Sequence, residues 1–265
     1  MSQFDDEILL QSHPDGRFTG RIHSSWNIGS SPNGGYLMAV VGKALGQRVA
    51  QHPDPLSITA HYLRPCQGDA DCEIDTQLLR SGATLSTLRA GLCQQDTLRL
   101  EVMASFGDLG SASIEHDIAP PAPAMPDAGH CIARSGDAQG IALHIASRLD
   151  IRLHPQQARA GSTGAAIVSG WVRFLDGRDP DPLALLLFAD AFPPSLFGLL
   201  GAVGWVPTIE LTVQVLRRPA PGWIQGQFHT VSLANDRMIE DGALWDSAGQ
   251  LVAQSRQLAV LRRKP

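Results

Sequence analysis

Cysteine is scarce and unpatterned. Cys66, Cys72, Cys93 and Cys131 include no CxxC pair and no metal-finger spacing, so the sequence offers neither a disulfide framework nor a zinc ribbon. The nine histidines contain no HExxH, and His61 in "AHYLRP" reads as a strand residue. A metal or other cofactor is not expected. No GxSxG is present, which argues against a hydrolase built on a nucleophile elbow. Uninterrupted apolar runs of about 18 residues are missing, and the N-terminal stretch "MSQFDDEILLQSHPDG" has no basic or apolar leader region. A soluble, cytoplasmic protein with no membrane partner is therefore expected. Positive charge is also short: the formal net charge is -5 and the last residues, "LRRKP", hold the main basic run. Nucleic acid and anionic lipid are thus poor partners.

What is present is apolar residue in quantity, 43% of 265 positions, enough for one large core or two ordinary ones. "NGGYLMAVVGKALGQRVAQ" has helical spacing, and "PLSITAHYLRP", "DCEIDTQLLRSG", "ATLSTLRAGLCQQD" and "TLRLEVMASFGD" alternate as strands. A proline-, alanine- and glycine-rich stretch without periodicity then separates two halves. After it come two more strand patterns, a helix over "DPLALLLFADAFPPSLFGLL" and four further strands, so the order repeats. Pro65 and Pro219, and then Phe106 and Leu261, mark similar positions at nearly the same spacing, as expected of one unit used twice. The expected fold is α+β: a long helix wrapped by a curled antiparallel sheet, in tandem. Residues 1–109 form the first unit, 110–139 the linker and 140–265 the second.

Several side chains could carry chemistry. Asp190 lies among leucines, alanines and phenylalanines in "LALLLFADAFPP", where a carboxylate is either paired, used, or capping the end of the helix. Gly34 and Gly35 open the first helix in "SSPNGGYLMAVVGKAL". There unpaired N–H groups and the helix dipole favour negative charge, and the missing side chains permit close approach. Neither GxxxxGK[ST] nor GxGxxG accompanies them, so a nucleotide is not the expected ligand. Taken alone, Thr208 in "WVPTIEL" is a β-branched strand residue and Gln257 in "AQSRQLAVL" a solvated one. Trp26 and Trp205 are candidates for lining a channel.

"NGGYLMAVVGKAL", "HYLRP", "LLRSGATLSTLRAGL" and "MASFGD", followed by "LLLFADAF", "PTIELTVQVLRRP" and "DSAGQLVAQSRQLAVLR", resemble in this order the double-hotdog acyl-CoA thioesterases of the thioesterase II type. The resemblance spans nearly the whole chain and is weakest at residues 1–20 and through the linker. It implies hydrolysis of acyl-CoA, a place in fatty acid metabolism, and a catalytic set of Asp190, Thr208 and Gln257. It also implies a water activated by Asp190, and a dimer or larger homo-oligomer. The Gly34–Gly35 amides would then face the oxyanion beside Asp190. One competent site per chain is expected, because the repeat places no carboxylate at the matching point of the first half. A hotdog hydratase would resemble its family through a histidine five residues after the aspartate, where this chain has Ser195. The other alternative is a hotdog protein that binds acyl-CoA without turning it over.

Overall fold

The computed structural model describes residues 2–110, 117–136, 141–201 and 204–263. A short helix, α1 (Gln3–Glu7), precedes β1 (Leu10–Ser12) and β2 (Arg17–Ile22). Helix α2 (Gly34–Arg48) is followed by β3 (Asp54–Tyr62), β4 (Ala70–Ser81), β5 (Ser86–Gln94) and β6 (Thr97–Gly107). The second half has β7 (Ile132–Ala133), β8 (Leu149–Leu153) and β9 (Ile167–Phe174), then α3 (Pro182–Phe188) and α4 (Leu196–Leu200). It closes with β10 (Thr208–Val215), β11 (Ile224–Ala234), β12 (Arg237–Trp245) and β13 (Leu251–Val260).

These thirteen strands form one sheet in the order β1-β2-β4-β5-β6-β3-β10-β13-β12-β11-β9-β8-β7, antiparallel throughout. The join is β3 against β10, centred where Thr59 opposes Thr212 and their hydroxyls meet at 2.9 Å. Those two threonines are 153 positions apart, within two residues of the spacing of the repeated motifs. On either side His61 pairs with Glu210 and Ser57 with Gln214, as a two-fold relation between the halves requires. Strand β5 alternates buried and accessible residues along its whole length, turning one face onto α2.

Helix α2 starts at Asn33, whose side-chain oxygen accepts from the Tyr36 N–H at 2.9 Å. Nearly all its faces are apolar and most of its residues are buried, which suits a helix enclosed by a sheet rather than lying on one. The second helix departs from expectation. The single helix read over 181–200 stops at Phe188 and resumes only at Leu196. Pro193 and Pro194 lie in the gap, and proline supplies no N–H and crowds the preceding turn. Asp190 consequently sits on a turn, its N–H donating to the Leu187 carbonyl at 3.2 Å.

The stretch expected as linker is only partly described, since 111–116 and 137–139 lie outside the described residues. Residues 117–127 carry no helix or strand and run against the second half. The indoles of Trp245 and Trp171 donate to the Pro120 and Pro126 carbonyls at 3.1 and 2.8 Å. Ile132–Ala133 already belongs to the sheet as β7. At the other end of the chain, α1 ties the halves together: Phe4 packs against Trp26 and Phe174, and Glu7 accepts from Arg148 at 2.5 Å.

Candidate active site

The site begins where the start of α2 meets the end of α3. A methyl group on Gly35 would stand 2.6 Å from the Leu186 carbonyl oxygen and 2.8 Å from that of Leu187, so only glycine lets the two backbones approach this closely. That contact brings Asp190 under the first turn of α2. Its Oδ2 accepts from the Gly35 N–H at 3.0 Å and from Asn33 Nδ2 at 2.9 Å, and Asn33 Nδ2 also donates to the Asp190 carbonyl at 2.7 Å. The positive end of the α2 dipole thus meets a carboxylate belonging to the other half of the chain.

Burial pushes the Asp190 carboxyl up to about 6, against the lowering influence of the Gly35 and Gly34 amides, the Arg134 charge and the Asn33 amide. Arg134 follows β7 and donates through Nη1 to the Ala191 carbonyl; burial pulls its own pKa down to about 10. Tyr62, at the end of β3, donates to the Gly34 carbonyl at 2.9 Å. Burial, reinforced by the nearby Asp190 charge, raises its pKa well above the usual phenol value. The phenol therefore stays a hydrogen-bond donor and holds the first turn of α2 in place.

Opposite Asp190, adjacent strands present a row of polar side chains. Gln257 on β13 donates through Nε2 to Thr208 Oγ1 on β10. Glu240 on β12 stands directly across from Gln257, and Thr230 on β11 across from Glu240. Cross-strand neighbours share a face, so the row is continuous. Glu240 is 7% exposed, and its Oε2 accepts from the Ser195 N–H at 2.8 Å. Ser195 Oγ lies 2.9 Å from Thr230 Oγ1. Burial pushes the Glu240 carboxyl up to about 7; its bonds with Ser195 pull it down, while the charges of Asp190 and Asp241 raise it further.

A cavity of about 590 Å³ opens between the turn and this row. Asp190, Thr208, Gln257 and Gly34 all border it, and Phe192, Phe228 and Met238 supply part of its apolar wall. Residues from both halves, expected from sequence to act together, therefore meet at one place. Gly35 does not border the cavity. The N–H expected to face an oxyanion is taken up by Asp190, and the glycine is required by helix contact. Trp26 is also displaced from its expected role: it is fully buried and stacks on Tyr36 at 5.2 Å, whereas Trp205 does border the cavity.

Sequence reasoning missed Asn33, Tyr62, Arg134 and Glu240. Asn33 carried the ordinary signal of a helix-capping residue before Gly34. Glu240 was visible as the acid in the inward series Met238, Glu240, Gly242, Leu244 of an alternating strand. Tyr62 and Arg134 gave no such sign, because what matters is their contact with Gly34 and Ala191, residues distant in sequence. Among the described residues no group of three or more His, Cys, Asp or Glu side chains is placed to hold a metal ion, and no helix is long and apolar enough to cross a membrane.

Two family models match the chain: "Acyl-CoA thioesterase N-terminal domain" over residues 22–107 and "Acyl-CoA thioesterase C-terminal domain" over 117–261. A protein of Mycobacterium tuberculosis H37Rv described as uncharacterised is 25% identical over 267 residues, covering 92% of this chain and 90% of its own. Among solved structures, a candidate thioesterase II from Thermobifida fusca YX superposes with a TM-score of 0.85 at 28% identity, covering 99% of this chain and 98% of the other. A hot dog fold protein of unknown function from Alicyclobacillus acidocaldarius gives 0.84 at 21% identity, with each chain fully covered. The acyl-CoA thioesterase II TesB2 of Mycobacterium marinum gives 0.78 at 17% identity, with 98% of each chain covered.

Proposed function

This chain belongs to the acyl-CoA thioesterase family, and from that membership we propose that it hydrolyses acyl-CoA to a free carboxylic acid and coenzyme A, with Asp190 as general base. The observation that carries the proposal is the placement of Asp190 on a 590 Å³ cavity, with burial lifting its pKa to about 6. A carboxylate in that range is ionised at neutral pH yet basic enough to take a proton from water. Asn33 and Gly35 both bond Oδ2, and in the proposed attack Oδ1 accepts from the water. Gly34, Gly35 and Asn33 act as positioning residues for this carboxylate.

In the attack, one water proton passes to Asp190 while the water oxygen bonds to the thioester carbon and the carbonyl π pair moves onto oxygen. When the adduct collapses, the C–S bond breaks with its electron pair on sulfur. The proton on Asp190 passes to that sulfur, and the new carboxylic acid releases its own proton to solvent. Gln257 donates to Thr208 Oγ1, which frees the Thr208 hydroxyl proton to point at the water. No covalent acyl-enzyme is needed.

The test is release of free thiol from acyl-CoAs ranging from short through long to aromatic acyl groups. Thiol release above the uncatalysed rate is expected. Tight acyl-CoA binding with no release on any substrate would replace this proposal with the binding-protein reading. A narrower test concerns the water-holding pair. Thr208→Val and Gln257→Leu should each lower kcat by about tenfold or more, and the double variant by much less than the product, because the two side chains act through one hydrogen bond. Independent, multiplying losses would dissolve the pair.

A further inference from the structure

The cavity holds a second carboxyl that the hydrolytic scheme above leaves idle. Glu240 points from β12 onto the same face as Gln257, borders the cavity and is 7% exposed. Its charged surroundings are acidic. Asp190 faces it from the turn after α3, and Asp241, the next residue on its own strand, is bonded to Arg256 at 2.6 Å. Arg134 lies on the Asp190 side, where its charge lowers the Asp190 pKa. No ion pair to Glu240 is found among the described residues. A buried carboxylate without a cation is costly, whereas a neutral acid in the same place is not. Ser195 bonds this carboxyl through its side chain and through its N–H, which donates to Oε2, so in the acid form the proton belongs on Oε1.

The thioester needs such a donor. Charge develops on its carbonyl oxygen as water attacks, and the Gly35 N–H is occupied by Asp190. We propose that Glu240, in its neutral form, is a second catalytic residue, donating a hydrogen bond to the thioester carbonyl oxygen while Asp190, ionised, takes the proton from water. This rests on the thioesterase reading and assigns that site its oxyanion donor. Glu240 keeps its proton throughout; the bond strengthens as the oxygen becomes negative and relaxes when the C–S bond breaks. The direction of the two shifts agrees, with Asp190 at about 6 and Glu240 at about 7. The pair titrates together, and its working form has one proton between two carboxyls.

A merely structural Glu240 would serve only to hold Ser195 at the start of α4, a task glutamine performs equally well through its amide oxygen. The deciding experiment is the pH profile of kcat/KM on an acyl-CoA turned over by the wild type, alongside Glu240→Gln. The wild type should give a bell, with an acid limb from Asp190 near 6 and an alkaline limb from Glu240 near 7. Glu240→Gln should keep the acid limb and lose the alkaline one, with activity within about tenfold of wild type because its amide N–H still donates. Glu240→Leu, which donates nothing, should lose about 10²- to 10³-fold. An alkaline limb that survives in Glu240→Gln, or its absence from the wild type, overturns the proposal. If the glutamine variant does not fold, infrared titration of the wild type decides: protonated carboxyl should be lost in two steps, near 6 and near 7, and a single step near 6 overturns the proposal. A wild type inert toward every acyl-CoA removes the thioesterase reading and this inference with it, whereas an active enzyme with the wrong profile removes this inference alone.

Discussion

Asp190→Asn is expected to lower kcat on acyl-CoA by at least about a hundredfold while leaving the fold intact, the usual scale for loss of an essential proton acceptor. The substitution is nearly isosteric, and the asparagine oxygen can occupy the position of Oδ2, still accepting from the Gly35 N–H and Asn33 Nδ2. The missing element is basicity at the other oxygen. Stability should move the opposite way. Asp190 has a folded pKa of about 6, raised from 3.8, so its contribution to stability is fully present below pH 3.8 and is lost as pH rises through about 6. Above that range the wild type holds a buried charge that the variant does not. Asp190→Asn should therefore be more stable than wild type at about pH 8, by up to roughly 3 kcal/mol for a shift of about two pKa units, and equal to it near pH 3. Urea melts at both pH values measure this, and thiol release measures the first effect. A variant that hydrolyses acyl-CoA at the wild-type rate would remove Asp190 from the chemistry.

Gly35→Val should unfold much of the protein. The added carbon would lie 2.6 and 2.8 Å from two backbone carbonyl oxygens and 3.0 Å from Asp190 Cβ. Backbone oxygens cannot swing aside as a side-chain end can, so α2 must move off α3. Overpacking of this kind costs about 3 kcal/mol or more, a large share of the stability of an ordinary domain. Any molecule that still folds has Asp190 pushed away from its Gly35 bond, so turnover falls as well. The urea midpoint and thiol release should drop together. A normal midpoint with lost turnover would instead return the Gly35 N–H to the role of oxyanion donor.

The sequence made the general architecture readable because alternation and helical spacing are local. Strand β5 and helix α2 need no knowledge of distant residues to be recognised, and the spacing of the repeated motifs comes within two residues of the 153-residue relation seen at Thr59 and Thr212. The broken second helix was also written locally, in Pro193 and Pro194, but an apolar run overshadowed it. Asp190 could be picked out as a carboxyl in an apolar setting. Its bond to Gly35 could not, since it depends on how α2 and α3 pack across the two halves. The same limit applies to Tyr62 under Gly34. Trp26 shows the reverse error, because a large aromatic near a site looks like a wall until its stacking on Tyr36 is seen.

The continuous hydrogen bonding across β3 and β10 bears on whether the halves can exist apart. Severing the chain at a protease site introduced after Gly110 would leave every rung of that ladder in place, along with Asn33 bonded to Asp190 and Arg148 bonded to Glu7. The two pieces should travel as one particle on gel filtration and keep their activity. Either half made alone would instead bare a long unpaired strand edge, the surface on which chains stick to one another. The covalent connection is thus dispensable to the finished molecule, and its service lies earlier, in ensuring that the first edge to reach each half as it folds is the right one.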